Sequence, residues 1–325
     1  MNEVEAGIPD LLNGNRRMLA KTITLIESSL PGHQATAQSI IDRILPYTGK
    51  AVRLGITGVP GVGKSSFIES LGMLLVEQGH RVAVLAVDPS STRSGGSILA
   101  DKTRMERLSA DSRAFIRPSP SGGTLGGVAR KTRETMLVCE AAGFDVVIVE
   151  TVGVGQSEIT VSSMVDFFLV LMLAGAGDEL QGIKKGVLEL ADAVVINKAD
   201  GDNIEKAKRA RKDYENALHL LKPASPVWTP PVLTCSAREM TGVSDVWETV
   251  LRHHELMTKS CELEQNRRHQ SLAWMWSLVE EGLKQRFHQH PEVQRRLPQL
   301  SRQVENGMLS SVAAACQLLF FLDNP

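Results

Sequence analysis

Val52-Arg53-Leu54-Gly55-Ile56-Thr57 runs without a break into Gly58-Val59-Pro60-Gly61-Val62-Gly63-Lys64-Ser65, and residues 66–77 continue as an apolar helical stretch that opens at Ser66. A short β-branched run, a glycine loop fitting GxxxxGK[ST] in full and a helix stand in the order that gives this motif its meaning. Glycines let backbone N–H groups converge on phosphate oxygens with no Cβ in the way, and the helix N-terminus adds a favourable field. In such a loop the lysine, here Lys64, bridges the β- and γ-phosphates, and the hydroxyl of Ser65 can hold Mg²⁺. Lys64 is therefore a candidate catalytic residue, and Gly58, Val59, Pro60, Gly61, Val62, Gly63, Lys64, Ser65 and Ser66 are candidate nucleotide contacts.

Working outward, five more short apolar runs follow, at residues 82–87, 146–149, 167–173, 193–196 and 232–234, mostly separated by helical stretches. Near-continuous apolar strands alternating with helices predict an α/β fold with a mainly parallel sheet covered on both faces. Ligands then bind at the carboxyl ends of the strands, which is where the polar motifs of this chain fall.

The base is read from Asn197-Lys198-Ala199-Asp200, an NKxD tetrapeptide directly after the run 193–196. Asp200 can accept from guanine N1–H and the N2 amine, two donors that adenine does not offer in that geometry. A buried carboxylate left unpaired costs kilocalories, so the discrimination is strong. Asn197 would tie this loop to the phosphate loop, and the stem of Lys198 would cover the base. Cys235-Ser236-Ala237-Arg238, after the run 232–234, fits the companion loop, with the Ala237 N–H reaching guanine O6. Ser236, Ala237 and Arg238 join the nucleotide contacts, and the expected ligands are GTP and GDP.

Glu150-Thr151-Val152-Gly153 closes the run 146–149. An acid there can orient Mg²⁺ through water or align the attacking water, and Gly153 can offer its N–H to the γ-phosphate. Gln156 stands three residues beyond Gly153, which is the wrong spacing for a water-positioning glutamine. Asp88 closes the run 82–87 as a second carboxylate at the same edge, and Asp88-Pro89-Ser90-Ser91 and Asp101-Lys102-Thr103-Arg104 form a polar segment suited to move with nucleotide state.

The rest of the 325 residues is built around this domain. Leu12, Leu19, Ile23, Ile26 and Leu30 recur at helical spacing until Pro31-Gly32 breaks the run, and Ile40, Ile41, Ile44 and Leu45 mark a second helix. Glycine- and proline-rich stretches at residues 118–127 and 223–231 read as connections. Beyond residue 242 the chain is helical, with one stripe of Leu272, Met275, Val279, Leu283 and Phe287, thickened by Trp274 and Leu278, and a final helix through Leu309, Val312, Cys316, Leu319 and Phe320. Those faces exceed what the remaining chain can cover, which suggests a partner subunit. The expected divisions are an N-terminal helical layer (1–48), a P-loop domain (49–260) and a C-terminal helical dimerisation arm (261–325).

Composition bounds the remainder. Hydrophobic content is 42%, charged content 22% and formal charge -1, so no nucleic-acid partner is implied. The four cysteines are far apart, with no CxxC pair and no zinc or disulfide spacing. No apolar run reaches the roughly 18 residues of a membrane span, and the start MNEVEAGIPD lacks a signal-type apolar core. A cytoplasmic protein with no membrane association is expected.

Taken together, Asp88-Pro89-Ser90-Ser91, the run GGSILADKTRM (95–105), ETVGVGQSE (150–158) and GAGDELQGIKKG (175–186) resemble the MeaB/ArgK group of G3E GTPases, formerly labelled LAO/AO transport system kinases. The resemblance spans roughly residues 10–260 and weakens in the C-terminal helices. It implies a G-protein chaperone of adenosylcobalamin-dependent methylmalonyl-CoA mutase that gates cofactor loading and protects the enzyme, acting as a homodimer. It also implies that Asp88, Asp101 and Glu150 serve the Mg²⁺ and switch centre with Ser65, and that Lys184, in an additional switch at 177–185, responds to the partner. Ala174 departs from an expected proline, and Ser66 replaces a common threonine. Two other readings stay open: a P-loop kinase, against which NKxD argues, and a metal-insertion GTPase, for which the scattered histidines offer no metal motif.

Overall fold

The computed structural model describes residues 3–28, 30–87, 105–118, 125–151, 153, 157–175, 185–221 and 225–323. Asp88, Asp101, Gln156 and Lys184 lie outside the described residues. Seven parallel strands form one sheet among the described residues: β1 Val52–Gly58, β2 Val82–Val87, β3 Ala114–Arg117, β4 Val146–Thr151, β5 Phe167–Leu173, β6 Ala193–Asn197 and β7 Val232–Thr234. Their order is β3-β2-β4-β1-β5-β6-β7, which puts β1 at the centre with β4 on one side and β5 on the other. The glycine loop thus leaves the middle of the sheet, and Ile56 of β1 stands beside Glu150 of β4.

Alternation along the strands divides the core into two layers. Leu54, Ile56 and Ile148 pack on one face with Phe67, Ile68, Leu71 and Leu75 of the helix Lys64–Glu77 and with Val246, Trp247 and Val250 of the helix Val243–Lys259. Val147, Val149 and Val170 face the other layer, where Leu19, Ile23, Ile26, Ile40 and Ile44 of the N-terminal helices meet Met136 and Cys139 of the helix Leu125–Ala141. The helices Arg16–Glu27 and Pro31–Ile44 are therefore an integral cover of the sheet.

Several local expectations are corrected. Pro31 opens the helix Pro31–Ile44 rather than only ending the preceding one, because at a first helical position its missing N–H costs nothing. β3, a short strand with only Ala114 fully buried, carries too little apolar periodicity to be read in advance. The helix Leu125–Ala141 begins inside the stretch read as a connection. β4 continues through Glu150 to Thr151. Leu309 precedes the last helix, Ser311–Asp323.

Packing divides the chain into two compact units, Met1–Arg267 and Arg268–Pro325. In the second, Val293 and Leu300 of the helix Pro291–Glu305 are buried, as is Ala314. By contrast, no residue of the helix Glu262–Gln289 is buried, and Leu272, Trp276, Leu283, Val312 and Phe320 are each at least 55% exposed. No helix among the described residues is long and apolar enough to cross a membrane.

At the amino ends of β1 and β5, a buried ion cluster closes the first unit. Arg267 donates from Nε and Nη2 to the Asp166 carboxylate at 2.7 and 2.6 Å, and also to the carbonyls of Gly49 and Ala51. Asp166 accepts from the Arg53 N–H at 2.9 Å, while Glu140 accepts from Arg53 Nε at 2.6 Å and from the Gly49 N–H. Nearby, a cavity of about 490 Å³ opens at the amino ends of β6 and β7 between Asp192, Trp228 and His253, at the opposite edge of the sheet from the glycine loop. Removing one partner from such a cluster strands the other charge. Arg267→Met should cost about 3–5 kcal/mol in urea unfolding, and adding Asp166→Asn should recover part of the loss. A loss under about 1 kcal/mol, the scale of an exposed pair, would contradict a buried clamp.

Candidate functional site

The site grows from three strand ends. Gly63, at φ 92°, caps the helix Lys64–Glu77 without any side-chain cap, so the first-turn N–H groups are turned toward the loop mouth. Lys64 folds back over its own loop and donates to the Gly58 carbonyl at 2.7 Å and that of Val59 at 3.4 Å. The Ser65 hydroxyl donates to Glu150 Oε1 at 3.2 Å, which joins the helix start to the end of β4. These donors are hard oxygens, the set Mg²⁺ prefers, so Ser65 and Glu150 fit that ion. Just beyond, Gly153 (φ 84°) lies so close to β1 that a Cβ would come 1.9 Å from the Gly58 oxygen and 2.8 Å from Lys64 Nζ.

Asn197, the last residue of β6, is 1% exposed and crosses to the glycine loop. Its Nδ2 donates to the Val62 carbonyl at 2.9 Å, and its Oδ1 accepts from the Ala237 N–H at 3.3 Å and the Cys235 thiol at 3.4 Å. Burial pushes the Cys235 thiol up to about 12, which keeps it protonated as a donor. A Cβ on Gly63 would stand 3.0 Å from Asn197 Nδ2, so glycine makes room for this bridge.

Lys198 holds a left-handed backbone (φ 58°), a conformation that costs a side-chain-bearing residue energy and concentrates at functional positions. Its Nζ donates to the Gly61 carbonyl at 2.8 Å, and its own carbonyl accepts from Asn203 Nδ2 at 2.8 Å. Asp200 accepts from the Ser236 hydroxyl at 2.5 Å, and that oxygen in turn accepts from the Glu239 N–H. Ser70 donates to the Ala237 carbonyl at 2.7 Å, fixing the companion loop to the helix after the glycine loop. Arg238 lies in that loop and is exposed.

The structure therefore brings together the glycine loop, Glu150, Gly153, Asn197, Lys198, Asp200, Ser236, Ala237 and Arg238 at the carboxyl edge of the sheet. The roles of four residues escaped sequence reasoning: Ser70, Cys235, and Thr57 with Thr151, whose hydroxyls meet at 2.7 Å. Ser70 is one more polar residue on an amphipathic helix, and the donation by Cys235 depends on how β6 and β7 pair. Thr57 and Thr151 read simply as β-branched strand residues.

A seven-stranded parallel sheet with this loop at the end of its central strand defines a P-loop GTPase domain. The family model for the methylmalonyl-CoA mutase-associated GTPase MeaB matches residues 19–292, and the chain belongs to that family. It is 50% identical to the GTPase ArgK of Escherichia coli over 96% of this chain and 94% of that protein. It is 47% identical to the mitochondrial methylmalonic aciduria type A homolog of Mus musculus, over 95% of this chain and 77% of that protein. A solved LAO/AO transport system kinase superimposes with a TM-score of 0.80 at 43% identity, covering 100% of this chain and 99% of its own.

The close approach of Gly153 gives a direct check. Gly153→Ala should lower GTP turnover roughly 100-fold, since its Cβ would force the loop after β4 off the Gly58 carbonyl and misplace reacting groups. Wild-type turnover in this variant would contradict the contact.

Proposed function

We propose that the chain binds GTP with Mg²⁺, hydrolyses it to GDP and phosphate, and couples that cycle to chaperoning adenosylcobalamin-dependent methylmalonyl-CoA mutase. The observation that supports the nucleotide half is the Asn197 bridge, which holds the NKxD loop, the glycine loop and the companion loop at fixed separation. In this reading the backbone N–H groups of residues 58–65 cradle the phosphates while the ammonium of Lys64 swings from its own loop carbonyls to the phosphate oxygens. Asp200, steadied by Ser236, accepts from the guanine edge, the Ala237 N–H meets O6, and Lys198 covers the ring.

Ser65 and Glu150, with Asp88 and Asp101, would hold Mg²⁺, which supplies charge neutralisation on the phosphates when bound. Glu150 would also orient the attacking water, and Gly153 would donate its N–H to the γ-phosphate. Lys184 would bring a late-arriving cation.

The mutase partner rests on the name borne by the family model. A homodimer is supported by the exposed apolar residues of the helices Glu262–Gln289 and Ser311–Asp323, whose burial against a second copy would remove them from water. We place the protein in the cytoplasm, in keeping with its likeness to the bacterial ArgK.

One experiment separates the partner role from the chemistry. GTP turnover measured with and without methylmalonyl-CoA mutase should be slow alone and stimulated by the enzyme, by up to the ~10³–10⁵ range that a supplied cation gives GTPases. Lys184→Ala should keep the basal rate and lose the stimulation. Full stimulation of the variant would remove Lys184 from the account, and no stimulation of the wild type would remove the mutase.

A further inference from the structure

β4 is aliphatic from Val146 to Val149, then ends in Glu150 and Thr151. Alternation sends these last two side chains to opposite faces. Glu150 turns to the layer of the helix Lys64–Glu77, where Ser65 meets it at 3.2 Å. Thr151 turns to the other layer and donates its hydroxyl to Thr57 Oγ1 at 2.7 Å. Both threonines are 1% exposed, within a core where valine would fill the same volume. The pairing Ile56–Glu150 sets the two hydroxyls side by side one step further along the strands.

We infer that the Thr57–Thr151 hydroxyl pair is a positioning latch for the hydrolytic step: it fixes the ends of β1 and β4 against each other so that Glu150 stays over Ser65 and Gly153 stays on the Gly58 carbonyl. Neither threonine is a catalytic residue. The inference rests on the reading of Ser65, Glu150 and Gly153 as the reacting centre. Two features support it. The bond sits one residue beyond the last β1–β4 backbone pair, between a residue that contacts the P-loop helix and a glycine whose approach leaves no room for a methyl group. Backbone pairing of β1 with β4 runs to Ile56–Glu150, and the hydroxyl pair extends the hold one residue further on each strand. It also gives the fold nothing that valine would lack, since replacing both members of a buried hydrogen bond by apolar groups of the same shape is close to neutral for stability.

That last property yields the test. Thr57→Val and Thr151→Val each strand a buried hydroxyl, whereas the double variant strands none. Thermal midpoint, GDP affinity and kcat are measured for the wild type, both single variants, the double variant and Thr151→Ser. Each single variant should lose stability and about 10- to 100-fold in kcat. The double variant should regain the wild-type midpoint and keep GDP affinity within about threefold, yet remain slow, which makes its defect one of kcat rather than of binding. Thr151→Ser, which keeps the hydroxyl, should restore kcat to within about threefold of wild type, the scatter expected of such comparisons. Recovery of kcat together with stability in the double variant would overturn the latch and leave a purely structural pair, as would a Thr151→Ser enzyme as slow as Thr151→Val. Glu150→Gln, run alongside, keeps the two claims apart: wild-type turnover there would overturn the reading of the centre itself, whatever the threonines do.

Discussion

The glycine loop and the companion loop at the carboxyl edge of the sheet are both referenced to the side-chain amide of Asn197. One planar group donates to Val62 in the glycine loop and accepts from Ala237 and Cys235 in the companion loop, so three loops from β1, β6 and β7 share one set of coordinates. The amide is buried, and every interaction it makes is with backbone or with a thiol that burial keeps protonated. Such a hub resists partial loss, because removing the amide would leave a buried carbonyl and a buried N–H unpaired at once. Gly63 and Lys198 carry the conformational consequences: the first gives way sterically, and the second is held in a left-handed backbone beside the hub.

Two constraints at opposite ends of β1 complement this hub. At the carboxyl end, Gly153 and Glu150 bring the strand β4 onto the glycine loop. At the amino end, Asp166, Arg53, Glu140 and Arg267 lock β1, β5, the helix Leu125–Ala141 and the beginning of the helix Glu262–Gln289 together through charges almost wholly removed from water. The central strand is thus pinned at both ends, and the loop it carries has a rigid root. That is the arrangement preorganised phosphate recognition requires, since the backbone donors must be in place before the ligand arrives.

The central strand, the glycine loop and the NKxD loop were legible in the sequence because each couples a local backbone requirement to a chemical one: glycine where no Cβ fits, and carboxylate or amide where specific donors must be met. The parallel sheet was legible from apolar runs too uniform for a half-exposed strand. β3 was not, because a four-residue edge strand carries too few alternations to stand out from a loop. Nor were Ser70, the donor role of Cys235, or the pairing of Thr57 with Thr151, for these depend on strand register and helix placement, which emerge only when distant segments meet. The clamp by Arg267 on Asp166 joins residues 101 positions apart, and arginine in an amphipathic helix reads as a solvated charge until its partner is seen.

The central claim is that Asp200, in the loop that Asn197 holds, reads the guanine base. Comparing GTP with xanthosine triphosphate as ligands for the wild type and Asp200→Asn tests it most directly, because xanthine carries an accepting C2 oxygen where guanine carries a donating amine. The wild type should strongly prefer GTP and Asp200→Asn should lose that preference or invert it, a change on the order of 10²-fold or more for a charge-assisted contact left unmade. An Asp200→Asn variant that still prefers GTP as strongly as the wild type would contradict it.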